Sequence, residues 1–226
     1  MKNNYFGDFL TTDSFEAKGK RKRLVEELRQ KGITDEEILR AINTVPRHLF
    51  MDPAFLGHAY VDKAFPIGFG QTISQPFTVA FQTSLLKIEK RNKILEIGTG
   101  SGYQAAILAE MGAKVYTIER FREIHLKAHK LLTALGYNID FFYGDGYAGK
   151  AQYGPFDGII ITAAASEAPP ELLKQLKIGG RMVAPIGGTE YQIMTVVERT
   201  GEDTYKYSNH GAFAFVPMLK GVVNGK

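Results

Sequence analysis

Short apolar runs alternate with amphipathic stretches through the second half of the chain. Runs such as 93–97 and 157–161 are apolar almost throughout, as in strands that are covered on both faces. The pattern predicts strands over residues 93–97, 114–118, 139–143, 157–161, 181–186, 191–198 and 205–215, and helices near 102–111, 121–135 and 169–177. This alternation indicates a right-handed, doubly wound, mostly parallel α/β sheet. The last three strands have no helix between them, which predicts an antiparallel edge.

The first third of the chain has a different pattern. It predicts two short helices, from about Ala17 to Lys31 and from Asp35 to Asn43, with Thr34 able to cap the second. Prolines and glycines then interrupt residues 45–75, which predicts a long loop that carries short pieces of structure. The many aromatic residues of this loop argue against disorder.

A further helix is predicted from Pro76 to about Leu86. Proline suits the first turn of a helix because its fixed φ is helical and its missing N–H is not needed there. Ser74 or Gln75 would lie near the N-cap of this helix. One interpretation of Ser74 is therefore purely structural, as a helix cap.

Composition narrows the class of protein. A chain of 226 residues fits one domain with an accessory segment. The absence of cysteine excludes disulfides, thiolate metal sites and cysteine nucleophiles. No apolar run approaches the roughly 18 to 20 residues that span a bilayer, and residues 1–5 lack the apolar core of a signal peptide. We therefore expect a cytoplasmic protein without a membrane partner.

The net charge of +4 is small, and its one concentrated source is the run from Lys18 to Arg23. Such a run can bind nucleic acid, but acidic residues follow it closely, as on the solvated face of an amphipathic helix. We infer no nucleic-acid partner from it. No exposed apolar helix remains unassigned, so a monomer is expected.

Three alternate glycines follow the strand predicted at 93–97. Gly98, Gly100 and Gly102 allow a tight turn and a close approach of backbone to a ligand. The next strand ends on Glu119, about 20 residues after the first glycine, where a carboxylate can bind both ribose hydroxyls. A structural strand-to-helix turn is the alternative. The combination favours a ribose-bearing cofactor, and the spacing G-x-G-x-G resembles that of Rossmann-like methyltransferases that bind S-adenosylmethionine.

The ends of the later strands carry further candidates, because ligands of open α/β sheets bind there. Asp145 could accept a hydrogen bond from an adenine amino group and Gly146 could donate one to a ring nitrogen, although an Asp-Gly turn explains the two residues equally well. Residues 162–165 read Thr-Ala-Ala-Ala, without an aromatic face or an amide. A nucleobase acceptor is therefore disfavoured.

The segment Gly68–Pro76, GFGQTISQP, resembles the signature of the protein-L-isoaspartate (D-aspartate) O-methyltransferases. The resemblance continues in order over nearly the whole chain. Further matching segments are Val45–Phe50, Ala59–Asp62, Leu95–Gln104, Ile118–Arg120, Gly144–Gly146, Thr162–Ala165, Gln175–Lys177 and Phe215–Pro217. Two departures are Lys63-Ala64-Phe65 in place of the common Arg-Pro-Leu, and a chain that ends soon after Val216.

The resemblance implies methyl transfer from S-adenosylmethionine to the free α-carboxylate of L-isoaspartyl residues in damaged peptides and proteins. The ester then cyclises to a succinimide, whose hydrolysis restores part of the aspartate. The expected product of the cofactor is S-adenosyl-L-homocysteine. The implied organisation is an N-terminal helical extension with a substrate loop over residues 1–76, and an S-adenosylmethionine-binding α/β domain over 77–226, together one compact unit.

The resemblance and the strand ends together give a set of expected site residues. The catalytic residue is Ser74, and no metal is required. Substrate-binding residues are Gln71, Thr72, Ile73, Ser74 and Val216. Cofactor-binding residues are Glu96, Gly98, Thr99, Gly100, Gly102, Glu119, Arg120, Asp145, Gly146 and Thr162.

Ser74 suits this chemistry as an orienting group. A free α-carboxylate has a pKa near ~3.5 and needs no general base, so catalysis reduces to holding oxygen, methyl carbon and sulfur in line. A serine nucleophile is disfavoured because no G-x-S-x-G elbow surrounds Ser74. His125 and His129 have the spacing of a metal pair on a helix, but no third ligand is evident.

Other hypotheses remain open. The edge at 212–216 could pair with an extended substrate peptide. A methyltransferase for another carboxylate would bind the same cofactor without a preference for isoaspartyl peptides. A cofactor-binding scaffold, or a nucleic-acid-binding module that uses Lys18–Arg23, would catalyse no transfer, and the motif at Gln71–Pro76 argues against it.

Overall fold

A computed structural model describes residues 13–224 of the chain, so the expectation about residues 1–5 lies outside the described residues. The N-terminal elements are α1 (Phe15–Gln30), α2 (Glu36–Thr44), two 3-10 helices (Arg47–Phe50 and Pro53–His58), β1 (Phe65–Gly68), β2 (Gln71–Ile73) and α3 (Pro76–Leu86). The following elements are β3 (Lys93–Ile97), α4 (Tyr103–Glu110), β4 (Lys114–Glu119), α5 (Arg122–Ala134), β5 (Ile139–Tyr143), two 3-10 helices (Gly146–Ala148 and Ala151–Tyr153), β6 (Phe156–Ile161), α6 (Pro170–Leu173), β7 (Leu176–Gly187), β8 (Gln192–Arg199) and β9 (Tyr205–Phe213).

The main sheet has seven strands in the order β5-β4-β3-β6-β7-β8-β9. The first five are parallel, and β8 and β9 are antiparallel to their neighbours. The predicted doubly wound sheet with an antiparallel edge is therefore confirmed. Strand order reverses at β3, which lies between β4 and β6, and the crevice beyond such a reversal is where open α/β sheets bind ligands.

Both faces of the sheet are buried. Ile94 belongs to one apolar cluster and Leu95 to the other, as the alternation of side chains along a strand requires. The first cluster also contains Leu28 of α1 and Ile38 of α2, so the N-terminal helices share a core with the sheet. The boundary at residue 76 remains a prediction. No helix within residues 13–224 has both the length and the apolar character needed to cross a bilayer.

The region predicted as a helix over 169–177 is mostly extended. Only Pro170–Leu173 is helical, and β7 begins at Leu176. Gly179 has a φ of 84°, and a Cβ at Gly180 would lie 2.8 Å from the Lys177 carbonyl oxygen. The positive φ at Gly179 and the close backbone contacts at Gly180 are those of a segment in the sheet, where a β-bulge adjusts its register with β6.

Helix starts also differ in detail from the predictions. The N-cap of α2 is Asp35, not Thr34, because the Asp35 carboxylate accepts hydrogen bonds from the N–H groups of Glu37 and Ile38.

The last strand is shorter than predicted. Strand β9 ends at Phe213 rather than at residue 215, since the N–H of Phe215 donates to the side chain of Gln192.

Asp62 takes the capping role at α3 that Ser74 or Gln75 was expected to have. The N-cap position is Gln75, and its side chain makes no capping bond. Asp62 Oδ1 instead accepts the N–H of Phe77 at 2.7 Å, while Oδ2 accepts Gln75 Nε2 at 2.9 Å and Lys31 Nζ at 2.6 Å. One carboxylate, 2% exposed, therefore ties α1 to the start of α3.

Replacement of Asp62 by alanine should lower the free energy of unfolding by about 2 to 3 kcal/mol, because a cap and a buried acceptor are lost together. Urea unfolding measures this loss. Asp52→Ala is the matched control, since Asp52 is exposed and caps only a 3-10 helix. We expect the control to lose less than about 1 kcal/mol, and equal losses would contradict the bridging role of Asp62.

Candidate active site

The glycine loop leaves β3 at the point where strand order reverses. Gly98, Gly100 and Gly102 all have positive φ values, of 96°, 52° and 87°. A Cβ at Gly98 would lie 2.6 Å from Thr162 Oγ1, whereas a Cβ at Gly102 would lie 2.7 Å from Leu132 Cδ1. Gly98 therefore permits close approach of the segment after β6, and Gly102 permits packing of α5 against the start of α4.

Two side chains hold this loop from opposite sides. Glu119, at the end of β4, accepts the N–H of Gly100 at Oε2 and the N–H of Phe121 at Oε1, both at 2.9 Å. Thr162, after β6, donates its hydroxyl to the Gly98 carbonyl at 2.7 Å. Burial raises the pKa of the Glu119 carboxyl, and the backbone N–H donors oppose this rise. Each carboxylate oxygen keeps a lone pair for a ligand hydroxyl.

A cavity lies between this loop and the β1–β2 hairpin, with an empty volume of about 820 Å³ that includes space open to solvent. Twelve of the expected site residues line it: Gln71, Thr72, Ile73, Ser74, Gly98, Thr99, Gly100, Glu119, Arg120, Gly146, Thr162 and Val216. The structure thus brings both expected sets together around one space. Their individual roles remain predictions.

Three expected cofactor residues do not line the cavity. Gly102 packs against α5, and Glu96 is fully buried in β3. Asp145 accepts the N–H of Tyr147 at 2.9 Å and the N–H of Gly221 at 2.7 Å. Its observed partners are thus those of a turn and of the chain end, while binding of adenine remains a prediction.

Residues 216–224 are here called the terminal segment, and its first four residues line one edge of the cavity. Ala164 pairs with it through two backbone hydrogen bonds, to the Val216 carbonyl and from the Met218 N–H, both at 2.7 Å. The Arg120 side chain donates to the carbonyls of Lys220 and Gly221 at 3.2 and 3.1 Å. The guanidinium therefore anchors the terminal segment beside Glu119.

Sequence reasoning missed several wall residues. Tyr103 and Gln104 follow the glycine loop, and Phe121 follows Glu119, so proximity to a motif could have indicated them. Met218 and Leu219 also line the cavity, but they lie beyond the last strand and no pattern indicates where such a segment folds.

A second groove adjoins the cavity. Its walls include Ala212–Phe215 and Phe77, and none of the lining residues that belong to the described part of the chain is charged. Thr72, Ser74, Thr162 and Val216 line both spaces. Ser74 therefore stands where the two meet, and it is not the cap of α3.

Glu96 lies beneath the loop, with 0% of its surface exposed. Burial raises the pKa of this carboxyl to about 8, assisted by the nearby Glu119 and opposed by a hydrogen bond from Thr117. The Thr117 hydroxyl lies 2.5 Å from Glu96 Oε2 and 2.6 Å from Thr99 Oγ1. Glu96 is thus connected through the Thr117 hydroxyl to Thr99, a residue of the cavity wall.

The histidines on α5 show no metal-binding arrangement. The rings of His125 and His129 have centroids 6.0 Å apart, and the His129 ring lies 4.6 Å from that of Phe141. Within residues 13–224 no three histidine or acidic side chains converge in a way that could hold a metal ion.

A doubly wound sheet with an antiparallel edge, a glycine loop at its switch point and an acid at the end of the next strand define the class of Rossmann-like methyltransferases. The sequence model of the protein-L-isoaspartate(D-aspartate) O-methyltransferase family matches residues 19–223. The chain belongs to that family.

Relatives of similar length support this assignment. The chain is 54% identical over 209 residues to a protein-L-isoaspartate O-methyltransferase of Christiangramia forsetii, covering 92% of this chain and 98% of the relative. A relative of the same name from Dictyoglomus thermophilum is 46% identical over 212 residues, covering 93% of this chain and 96% of the relative.

Solved structures agree with the fold. A protein-L-isoaspartate O-methyltransferase structure is 28% identical with a TM-score of 0.81, covering 89% of this chain and 67% of the other. A structure from Plasmodium falciparum, solved in complex with S-adenosyl-L-homocysteine, is 23% identical with a TM-score of 0.78, covering 89% of this chain and 99% of the other.

The raised pKa of Glu96 makes stability depend on pH. The Glu96 carboxyl keeps its proton up to about pH 8 in the folded state, whereas the ordinary pKa of a glutamate carboxyl is 4.5. Between these values the unfolded chain binds fewer protons than the folded one, so the free energy of unfolding falls as pH rises. Glu96→Gln should lessen this fall between pH 5 and pH 8, by on the order of 3 kcal/mol.

Urea unfolding of both proteins at the two pH values measures the difference. Glu123→Gln on α5 is the control, because Glu123 is exposed and the wild-type slope should persist. Equal slopes for the wild type and Glu96→Gln would show that Glu96 is ionised in the folded protein.

Proposed function

We propose that the protein transfers the methyl group of S-adenosylmethionine to the free α-carboxylate of L-isoaspartyl residues in damaged peptides and proteins. The observation that carries this proposal is the shared wall between two spaces. Ser74, Thr72, Thr162 and Val216 face both the cavity beside Glu119 and the uncharged groove beside β9. A cofactor in the first and a peptide in the second would meet at these residues. The names of the relatives agree with this reaction.

The cavity suits S-adenosylmethionine in its chemistry. Gly98 and Gly100 present bare backbone in a conformation that disfavours a side chain. The Glu119 carboxylate is fixed by two backbone donors and can accept ribose hydroxyls with its remaining lone pairs. Gly146, Thr99 and Thr162 complete the proposed contacts.

The bound cofactor would supply a sulfonium-activated methyl carbon. The acceptor carboxylate is already ionised at neutral pH, so the protein needs to orient it rather than deprotonate it. We assign this role to Ser74, whose hydroxyl can donate to the carboxylate, with support from the backbone between Gln71 and Ile73. Neither lining contains a histidine within the described part of the chain, so a serine-nucleophile reaction lacks its usual base.

The groove fits substrates with varied sequences. Its lining at Ala212, Ala214 and Val216 offers small side chains and backbone, and the described lining carries no charge that would select particular flanking residues. An extended peptide beside residues 212–216 would be bound through its backbone. The Val216 carbonyl already accepts the Ala164 N–H and the Phe215 N–H already donates to Gln192, so residues 212–214 carry most of the proposed pairing.

The basic run at Lys18–Arg23 supports no competing function. Arg21 is 4% exposed and donates to both carboxylate oxygens of Asp13, and Lys20 pairs with Glu16. Two of the five basic residues of the run are therefore already paired with acids. We propose a cytoplasmic monomer that acts on isoaspartyl proteins, with neither nucleic-acid nor membrane partners.

Transfer of labelled methyl from S-adenosylmethionine to two synthetic peptides tests the proposal. The peptides differ only in carrying L-isoaspartate or L-aspartate at one position. Label is expected in the isoaspartyl peptide alone. Label in both peptides would indicate a less specific carboxylate methyltransferase, and label in neither would refute the proposed acceptor.

Ser74→Ala should reduce methyl transfer about 10- to 100-fold, the effect of losing one hydrogen bond to a charged group. Affinity for S-adenosyl-L-homocysteine, measured by calorimetry, should stay within about twofold because the loop and Glu119 are untouched. Ser84→Ala, at the far end of the same helix, is the matched control and should retain activity. A parallel loss of transfer and cofactor affinity would refute the orienting role.

A further inference from the structure

Three side chains form a hydrogen-bonded chain from the interior to the cavity. Glu96 is buried, Thr117 of β4 has 0% of its surface exposed, and Thr99 lines the cavity with 3% exposed. Thr117 Oγ1 lies 2.5 Å from Glu96 Oε2 and 2.6 Å from Thr99 Oγ1. Both distances are those of short O–H···O hydrogen bonds.

The number of protons limits how this chain can be arranged. A hydroxyl donates one hydrogen bond, so Thr117 donates either to Glu96 or to Thr99. If Glu96 is ionised, Thr117 donates to it and Thr99 donates to Thr117, which consumes the Thr99 proton in the interior. If Glu96 is neutral and donates from Oε2, Thr117 donates to Thr99 and the Thr99 proton is free to point into the cavity.

The second Glu96 oxygen favours the neutral arrangement. Within residues 13–224, Glu96 Oε1 is buried without a hydrogen-bond partner. A charged oxygen in that position would carry a larger desolvation penalty than a neutral one. A proton placed on Oε1 would also lack an acceptor, whereas a proton on Oε2 faces the Thr117 hydroxyl.

We infer that neutral Glu96 acts through Thr117 to present the Thr99 hydroxyl as a hydrogen-bond donor to an oxygen of the bound cofactor. Glu96 is then a positioning residue that does not touch the ligand. This inference rests on the proposed function only in taking the cavity to bind S-adenosylmethionine and its product. It adds a pH dependence to cofactor affinity that originates in the interior of the sheet.

One acid within residues 13–224 interacts with Glu96. Glu119, on β4, raises the pKa of Glu96. The residue that pairs with Glu96 on β6 is the apolar Ile160. Helices α3 and α4 pack on the same face and contribute the uncharged Gln82 and Gln104.

Tyr103 and Arg47 are titratable groups that also lie on this side of the sheet. Burial raises the pKa of Tyr103 to about 12, so Tyr103 stays neutral through the relevant range. The guanidinium of Arg47 lies 5.0 Å from the Tyr103 ring centroid, and burial lowers its pKa only to about 10. Neither group changes its charge below pH 9, so neither of them can reverse the hydrogen-bonded chain.

Affinity for S-adenosyl-L-homocysteine, measured by calorimetry from pH 6.5 to pH 9, tests the inference on the full chain. The dissociation constant of the wild type should rise about 5- to 10-fold across pH 8, the size expected for one hydrogen bond. Glu96→Gln should bind as the wild type does at pH 7 and show a flatter profile, because its amide donates to Thr117 at every pH. The ligand's own amino group and Glu119 are present in both proteins, so the difference between the profiles reports on Glu96.

Variants of the middle hydroxyl separate positioning from packing. Thr117→Val keeps the shape of the side chain but interrupts the hydrogen bonds between Glu96 and Thr99. It should therefore remove the component of the pH profile that depends on Glu96. Thr117→Ser should restore that component. Identical profiles for the wild type and Glu96→Gln, or weakened binding of Glu96→Gln at pH 7, would overturn the inference.

Different results would overturn the proposed methyl transfer and the inferred role of Glu96. Absence of S-adenosyl-L-homocysteine binding at every pH would overturn both the cofactor assignment and the role inferred for Glu96, Thr117 and Thr99. Binding without methyl transfer to the isoaspartyl peptide would overturn the proposed acceptor and leave the role of Glu96 intact.

Discussion

The carboxylate of Glu119 fixes the geometry on which the site depends. Its two oxygens hold the N–H groups of Gly100 and Phe121, and so join the loop after β3 to the start of α5. Thr162 fixes the same loop from the side of β6. Residues at the ends of three neighbouring parallel strands thus fix one turn of backbone. The cavity is the space between this turn and the β1–β2 hairpin.

The same arrangement places polar side chains where an apolar core would be more stable. Glu96, Thr117 and Thr99 lie in the layer beneath the loop, and Glu96 keeps one oxygen without a partner among the described residues. A buried acid in this state reduces stability as pH rises. Retention of such a group beside a ligand cavity is typical of a site whose polarity matters more than its contribution to folding.

Much of the fold and of the candidate site could be predicted because their determinants are local in sequence. Apolar runs specify the strands, and alternate glycines followed by Glu119 specify the switch point. Contacts between distant segments carry no such signal: Asp62 caps α3 from 15 residues upstream of Phe77, and Gly221 donates to Asp145 across 76 residues. The helix prediction over 169–177 was wrong, because β7 begins at Leu176 and close backbone contacts at Gly180 favour the sheet.

The position of Ser74 shows why a cap and an orienting residue need not be the same group. Because Asp62 satisfies the N–H of Phe77, the start of α3 requires nothing from the Ser74 hydroxyl. Ser74 is thereby held at a helix start, beside both spaces, with its side chain available to a ligand. The Asp62 contacts with Lys31 and Gln75 in turn fix that start against α1. The N-terminal extension therefore contributes to the site by determining where Ser74 stands, although α1 itself lines neither space.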